Sequence, residues 1–187
     1  MLYVGVLILV TIFLLLFLLS MVWPPDSPWS PWWRTNGKVA RAIVDLAKIT
    51  KKDVIYDLGC GDGTALITAA KLKEAHGVGI EIDPSRSLIA KLRVLAHGLS
   101  SKITIKRRDL FKEDISEATV IIVYLIPKAL NQLEAKFKKE LRPGTRIVSY
   151  VYPITYLPQK ASDAKHQLML YEIPFSSKIS SGKKRQS

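Results

Sequence analysis

A glycine-rich turn after an acidic residue is the stretch of this sequence best suited to chemistry. Asp57 is followed by three glycines at every second position, namely Gly59, Gly61 and Gly63. Glycines let the chain turn tightly and let a ligand approach where a Cβ atom would clash. The β-branched and aromatic residues just before Asp57 predict a strand, and the apolar run that begins at Thr64 predicts a helix. The N–H groups at the start of that helix suit an anionic or carboxylate-bearing ligand.

A second acidic residue stands where the same ligand can reach it. Residues 77–83 predict another strand, and Glu81 lies near its end. In an open α/β sheet the Glu81 carboxylate then lies beside the glycine turn and can accept hydrogen bonds from ribose hydroxyl groups. The spacing D-x-G-x-G-x-G differs from the dinucleotide fingerprint G-x-G-x-x-G. The turn and the acid together resemble class I S-adenosylmethionine-dependent methyltransferases, with a nicotinamide-binding Rossmann domain as the alternative.

Further segments resemble a small family of membrane-anchored protein-lysine methyltransferases. Its eukaryotic members sit in mitochondria and modify the ATP synthase c-subunit and the adenine nucleotide translocator. Besides the glycine turn, the resemblance is carried by residues 64–71, 78–84, 108–111, 119–127, 130–141 and 144–147. Residues 31–35, Pro-Trp-Trp-Arg-Thr, depart from the family, which tends to have an aromatic-and-proline segment followed by Thr or Ser there. The Thr is kept but its flanks differ, which leaves the methyl acceptor open.

The resemblance implies S-adenosylmethionine as cofactor. The turn is expected to bring backbone close to the methionine part of the cofactor. Asp57 is expected to engage the ammonium group of the cofactor, directly or through a backbone or water contact. Glu81 is expected to bind both ribose hydroxyls, because a carboxylate accepts two hydrogen bonds at once, and Ile82 to pack on the adenine ring. By resemblance, Asp109 bonds the adenine amino group with Leu110 alongside. The expected cofactor-binding residues are Asp57, Gly59, Cys60, Gly61, Asp62, Gly63, Thr64, Glu81, Ile82, Asp109 and Leu110.

The acceptor side is expected at the end of a fourth predicted strand, residues 118–126. A lysine ammonium has no lone pair, and its pKa of about 10.4 in model peptides means that it must lose a proton before it attacks. An apolar pocket lowers that pKa by desolvating the charged form. Tyr124 and Pro127 border the methyl donor in this fold, and Tyr124 can orient the amine. A purely structural role for Tyr124, as an aromatic core residue, is an equally good interpretation.

The first 22 residues carry no charge and predict an uncleaved membrane anchor. At about 1.5 Å per residue they form roughly 33 Å of helix, and a bilayer core is about 30 Å thick. A signal peptide would need a basic n-region and a small-residue cleavage site. Residues 23–35 are a proline- and tryptophan-rich spacer next to the membrane. Every Lys and Arg follows the anchor, which predicts a single-pass protein with its catalytic domain in the cytoplasm or the mitochondrial matrix.

Residues 36–175 predict one α/β domain with a Rossmann-like, doubly wound and mostly parallel sheet, because strand and helix patterns alternate. The C-terminal strand patterns are fewer than a full class I methyltransferase sheet carries. A seventh strand is therefore expected to be absent or very short. Residues 176–187 are polar and basic and predict a disordered tail.

The overall charge and the small number of metal-ligating residues limit which partners the sequence predicts. The formal net charge is +12, which suggests nucleic acid, anionic lipid or an acidic protein. The Lys and Arg residues are spread out and not interleaved with aromatic residues, so no nucleic acid partner is expected. Cys60 is the one cysteine, which rules out an intrachain disulfide. One Cys and three scattered His predict no metal site.

These patterns favour a membrane-tethered methyltransferase that acts on a lysine of a membrane protein near the bilayer surface. Two alternatives stay open. One is methylation of a lipid or a quinone, which an anchor favours equally. The other is a cofactor-binding membrane assembly factor without catalysis, against which the intact glycine turn and Glu81 argue.

Overall fold

The computed structural model describes residues 2–22 and 35–174, with side chains from 3–18 and from 35–174. The predictions for the tail at 176–187 and for the spacer, apart from its last residue, lie outside the described residues. The elements follow in the order α1 (Leu2–Val22), α2 (Gly37–Leu46), β1 (Val54–Leu58), α3 (Thr64–Lys73), β2 (His76–Glu81), α4 (Pro84–Ala96), β3 (Ile103–Arg107), β4 (Val120–Val123), α5 (Pro127–Glu140), β5 (Arg146–Tyr150), β6 (Gln159–Asp163), a 3-10 helix (Ala164–His166) and β7 (Leu168–Glu172).

One sheet of seven strands in the order β3-β2-β1-β4-β5-β7-β6 forms the centre of the domain. The first five strands in this order pair in parallel. Strand β7 pairs antiparallel with β5, and β6 pairs antiparallel with β7. The order reverses between β1 and β4, which is where open α/β sheets bind their ligands. The predicted doubly wound, mostly parallel α/β sheet is therefore confirmed.

The prediction of a reduced C-terminal half is wrong, because the sheet has its full seven strands. The strand that the sequence did not reveal is β6. Its five residues, Gln-Lys-Ala-Ser-Asp, are exposed or half-buried and show no apolar alternation. Strand β4 is also shorter than predicted and ends at Val123, so Tyr124 lies just beyond the strand.

The helices cover both faces of the sheet with separate apolar cores. Helices α2, α3 and α4 pack on one face and α5 packs on the other. Local sequence signals start them where they are needed. The Asn36 side chain accepts the Val39 N–H at 2.9 Å, and the Asp83 side chain accepts the Arg86 N–H at 2.8 Å. Pro127 opens α5 at a position where a missing N–H costs nothing.

Helix α1 lies outside both apolar cores. Its 21 residues form one continuous helix, and the side chains at 3–18 are all exposed. Within the described part of the chain, no helix meets the length and apolarity that crossing a membrane requires. The described helices therefore give no support to the membrane anchor predicted for residues 1–22.

The close packing of β2 generates a prediction about stability. A Cβ atom added at Gly79 would lie 2.7 Å from both Cys60 Sγ and Ile105 Cδ1, so Gly79→Ala should destabilise the fold by about 1–3 kcal/mol through overpacking. Urea denaturation measures this difference. The matched control is Gly37→Ala, since a Cβ atom there meets nothing within 4 Å, and it should stay within about 0.5 kcal/mol of the parent. Equal stability of the two variants would contradict this packing.

Candidate active site

Strand register gathers the predicted site residues at the carboxyl ends of four neighbouring strands. Leu58 of β1 pairs with Ile80 of β2 and with Val123 of β4. Val123 pairs in turn with Ser149 of β5. The residues that follow these partners are Gly59, Glu81, Tyr124 and Tyr150. Side chains that are far apart in sequence therefore meet along one edge of the sheet, at its switch point.

The backbone of the glycine turn, residues 59–63, is hydrogen-bonded to β2, and we call this segment the cradle. Gly59, Gly61 and Gly63 all have positive φ angles, of 88°, 54° and 75°. Such angles are open to glycine and strained for most other residues. The N–H groups of Gly59 and Cys60 both donate to the carbonyl of Ile80, at 2.8 and 3.0 Å. The turn is thus fixed before any ligand arrives.

Glu81 fastens this cradle from the end of β2. One carboxylate oxygen accepts the Gly61 N–H at 2.9 Å and the other accepts the Asp83 N–H at 3.0 Å. The side chain is buried, and burial raises its pKa although the two backbone donors act in the opposite direction. Each oxygen keeps a lone pair for a further donor. The carboxylate can therefore position the turn and accept ribose hydroxyls together.

Asp57 is a buried acid whose charge is not balanced. Burial, with the nearby Glu81 and Asp62 carboxylates, raises the pKa of Asp57 to about 7. No positive group or hydrogen-bond donor offsets these causes within the described part of the chain. A ligand ammonium would supply the missing positive charge. The ammonium group of S-adenosylmethionine, the cofactor expected from the sequence, would provide this counter-charge.

Asp62 and Thr64 belong to a polar network that ties the turn to α4. The Asp62 carboxylate accepts both the N–H and the hydroxyl of Thr64, at 3.1 and 2.7 Å. Arg93 forms an ion pair with Asp62 at 2.6 Å and donates to the Thr64 hydroxyl at 2.9 Å. The Thr64 N–H, which the sequence assigned to a ligand, is thus already paired. Sequence reasoning missed Arg93 because only the fold brings it to the turn.

Cys60 contributes backbone to the turn and its side chain to the core. The thiol is buried in the apolar core beside Gly79, and burial raises its pKa well above the usual range. A thiol that stays protonated is a poor nucleophile. Cys60 therefore acts here as a small packing residue.

The residues expected around the adenine ring line an open cleft beyond β2 and β3. Ile82 and Asp109 form its walls together with Arg107 and Arg108. The Asp109 carboxylate accepts the Phe111 N–H at 3.0 Å, which holds the loop that follows β3. Leu110 is half-buried against the apolar core on the α5 face. Neither arginine was among the predicted cofactor-binding residues.

Three tyrosines line the opposite end of the site. The Tyr124 ring lies 4.4 Å from the Tyr150 ring and 6.4 Å from the Tyr152 ring, between ring centres. Burial raises the pKa of Tyr124, and both neighbouring phenols add to the effect, so Tyr124 stays neutral at neutral pH. Pro127 is exposed at the start of α5. Sequence reasoning named Tyr124 and Pro127 but missed Tyr150 and Tyr152.

The chain is similar to known methyltransferases along most of the domain. Residues 57–161 match the family model described as "ANTKMT methyltransferase domain". The chain is 40% identical over 135 residues to a protein-lysine N-methyltransferase of Saccharolobus islandicus, covering 72% of this chain and 82% of that protein. It is 33% identical over 120 residues to the adenine nucleotide translocase lysine N-methyltransferase of Mus musculus. That match covers 63% of this chain but only 52% of the mouse protein.

A solved structure shares the fold closely. It is described as an RNA methyltransferase from Salinibacter ruber in complex with S-adenosyl-L-homocysteine. The TM-score is 0.74 at 35% sequence identity, and the alignment covers 77% of this chain and 95% of that one.

The raised pKa of Asp57 makes the affinity for the cofactor depend on pH. Because the ligand ammonium needs the ionised form of Asp57, affinity for S-adenosylhomocysteine should fall by about tenfold per pH unit below pH 7. Titration calorimetry between pH 5.5 and 8 measures this. Asp57→Asn should bind weakly with no such slope, whereas the surface control Asp45→Asn should keep it. A parent protein with pH-independent affinity would contradict the role of Asp57.

The same residue predicts a change in stability of the ligand-free protein. A folded pKa raised from 3.8 to about 7 means that the contribution of Asp57 to stability is complete below about pH 4 and is lost as pH rises through 7. Asp57→Asn should therefore be more stable than the parent at pH 8, by about 1–2 kcal/mol. Urea denaturation at pH 8 and pH 4 tests this, and the difference should vanish at the lower pH.

A separate prediction concerns Glu81. Glu81→Ala should weaken binding of S-adenosylhomocysteine about 10- to 100-fold, because charge-assisted hydrogen bonds are lost and the Gly61 N–H loses its acceptor. Glu81→Gln keeps one acceptor oxygen and should fall between the parent and the alanine variant. Calorimetry gives the affinities, and circular dichroism checks that the fold survives. Unchanged affinity in Glu81→Ala would show that the ribose is held elsewhere.

Proposed function

We propose that this chain, which belongs to the ANTKMT methyltransferase family and is an S-adenosylmethionine-dependent methyltransferase, methylates the side-chain amine of a lysine in a membrane protein. When bound, S-adenosylmethionine supplies a methyl group on a positively charged sulfur. The protein then has to bind the cofactor, position the amine and exclude water. Its residues divide these tasks between the two ends of the carboxyl edge of the sheet.

Residues at the β1–β2 end of that edge bind the cofactor. The buried Asp57 carboxylate suits the ammonium group of the cofactor. Glu81 suits the ribose, and the cleft at Ile82 and Asp109 suits the adenine ring. The three glycines have the positive φ angles that this turn requires and carry no Cβ atom that would keep the ligand away from the backbone.

The observation that carries the lysine proposal is the apolar and aromatic lining of the β4–β5 end. A Cβ atom at Gly59 would be 3.6 Å from Leu125 Cδ2, so the segment after β4 lies directly against the cradle. Tyr124 and its two tyrosine neighbours are half-buried there. A lysine side chain that enters this end loses water, which lowers the pKa of its ammonium group and favours the neutral, attacking amine.

The names of the relatives support a protein lysine as acceptor. The Saccharolobus islandicus relative is a protein-lysine N-methyltransferase, and the mouse relative acts on adenine nucleotide translocase. The chain spans about half of the mouse protein. For this chain, lysine methylation and its protein acceptor therefore stand as the proposal.

Membrane tethering is proposed from α1 and from the outer face of α4. Helix α1 is uncharged and its described side chains are exposed. On α4, Leu88, Leu92 and Leu95 are each more than half exposed and share one face at helical spacing. Exposed apolar surface of this kind marks a contact with membrane or protein. The basic residues that follow α1 favour an anionic surface and are the basis for proposing a domain in the cytoplasm or the mitochondrial matrix.

A tether gives a membrane substrate a high effective concentration and gives a soluble one no such advantage. The full chain, incubated with native membranes and methyl-labelled S-adenosylmethionine, should therefore label protein. Acid hydrolysis of that protein should release methylated lysine. A shortened chain that begins at Asn36 should label the same membranes at least about tenfold more slowly. Both chains should methylate a soluble peptide bearing the same lysine at similar rates.

Other products of this experiment separate the alternatives. Label that extracts with lipid would favour a lipid or quinone acceptor. Label in RNA would favour the activity named for the Salinibacter ruber neighbour. Cofactor binding without any transfer would favour a non-catalytic assembly role. If the shortened chain labels membranes as fast as the full chain, the tether fails while lysine methylation stands.

A further inference from the structure

We propose that the ring faces of Tyr124, Tyr150 and Tyr152 form a cation-binding site for the side-chain nitrogen of the acceptor lysine. This inference rests on the proposed function in taking lysine as the acceptor. It adds a specificity-determining site that binds positive charge through aromatic rings. The three rings are near neighbours, and all three are half-buried at the end of the site opposite the cofactor acids.

The three rings are not coplanar, so they present differently oriented faces. Tyr124 is the central member. Its ring plane is tilted by 53° from that of Tyr150 and by 29° from that of Tyr152. Register places Tyr124 beside Gly59 of the glycine turn and Tyr150 on the other side of Tyr124, one residue beyond the pairs Leu58–Val123 and Val123–Ser149. A group held by these rings therefore lies next to the bound cofactor.

A strained turn fixes two of these tyrosines. Val151 has φ 69°, a left-handed conformation that is an outlier for a β-branched residue. The Tyr152 N–H donates to the Tyr150 carbonyl at 2.9 Å, which closes a three-residue turn around Val151. Strain of this kind collects at functional sites and persists only where neighbours hold it.

Two contacts hold the turn in place. The buried Ser149 hydroxyl donates to the Tyr152 carbonyl at 2.5 Å. The Val151 N–H donates to the Gln167 carbonyl at 2.8 Å. The turn is therefore tied both to β5 and to the residue just before β7. These ties explain how two tyrosines at the end of a strand keep a fixed position in the site.

The electrostatic surroundings leave the rings as the recognising groups. The groups that shift the pKa of Tyr124 besides burial are the phenols of Tyr150 and Tyr152. Of the acids along this edge of the sheet, Asp57, Asp62, Glu81, Asp83 and Asp109 lie on or just after β1, β2 and β3, at the cofactor end. Asp163, at the end of β6, contacts His166 Nδ1 at 2.6 Å. The face of an aromatic ring carries negative charge density and attracts ammonium groups, methylated ones included.

The chemistry of transfer gives such a site a catalytic use. The neutral amine forms a nitrogen–carbon bond as the carbon–sulfur bond of the sulfonium breaks, and the bonding pair stays on sulfur. The positive charge passes to nitrogen, and the proton given up beforehand by the lysine ammonium goes to water. Ring faces beside the nitrogen attract it more strongly as it becomes cationic. They therefore stabilise the transition state more than the neutral amine.

A pair of small probes tests the site without any variant. N-acetyl-Nε-trimethyl-lysine methylamide carries the cation, and its isostere with carbon in place of the ammonium nitrogen has the same shape and no charge. The full chain in detergent, saturated with S-adenosylhomocysteine, should bind the cationic probe about 3- to 30-fold more tightly by NMR titration. Equal binding of the two probes would overturn the proposal.

Variants at Tyr150 locate the effect. Tyr150→Phe keeps the ring and should keep the preference for the cationic probe. Tyr150→Leu removes the ring and should reduce the preference by at least about threefold, with kcat for membrane-protein methylation lowered and affinity for S-adenosylhomocysteine unchanged. A leucine variant that keeps the preference, or that loses cofactor affinity in parallel, would overturn the proposal. If the parent releases no methylated lysine, the proposed function fails, and the probe pair still decides whether the tyrosines bind a cation.

Discussion

The site depends on one buried carboxylate that joins two strand ends. Glu81 accepts N–H groups from the middle of the glycine turn and from the residue that caps α4. Without it, the N–H of the half-buried Gly61 would lose its acceptor, and a fully buried donor left unpaired costs about 1–3 kcal/mol. The geometry of the cradle, the start of α4 and the place of a ribose thus share a single side chain. Glu81, which the sequence pattern assigns to ligand binding, therefore also fixes the glycine turn relative to the start of α4.

Holding that carboxylate in place concentrates negative charge. Glu81, Asp57 and Asp62 are all buried around one turn. Burial raises the pKa values of Glu81 and Asp57, and at Asp57 the Glu81 and Asp62 carboxylates add to the rise. Arg93 offsets part of this charge from α4. Among the residues that the structure describes, Asp57 has no such partner, so the ligand-free protein keeps an unfavourable interaction that a ligand ammonium relieves. The ionised Asp57 lowers the folding stability of the ligand-free protein in order to bind the ligand, a common arrangement in enzyme sites.

Short-range patterns were enough to predict that the glycine turn follows β1 and that Glu81 ends β2. The glycine spacing and the strand-terminal Glu81 lie within single β–turn–α units, so their positions follow from local chemistry. Arg93, Tyr150 and Tyr152 could not be found this way, because strand pairing and helix packing bring them to the turn. A positive φ at Val151 is the kind of strain that tertiary contacts impose and no propensity foretells. Strand β6 was missed because a polar edge strand has no apolar face to show.

That same polar strand has a consequence for how copies of this protein meet. The outermost strands of the described sheet are β3 and β6, and each presents backbone groups without a neighbouring strand. Lys106 and Arg107 stand on β3, while Lys160 and Asp163 stand on β6. Charged side chains on outer strands disfavour the pairing of one molecule's sheet with the next. At high protein concentration, these charges would disfavour edge-to-edge strand pairing between molecules. A chain with many exposed apolar residues is thereby protected from aggregation through its sheet.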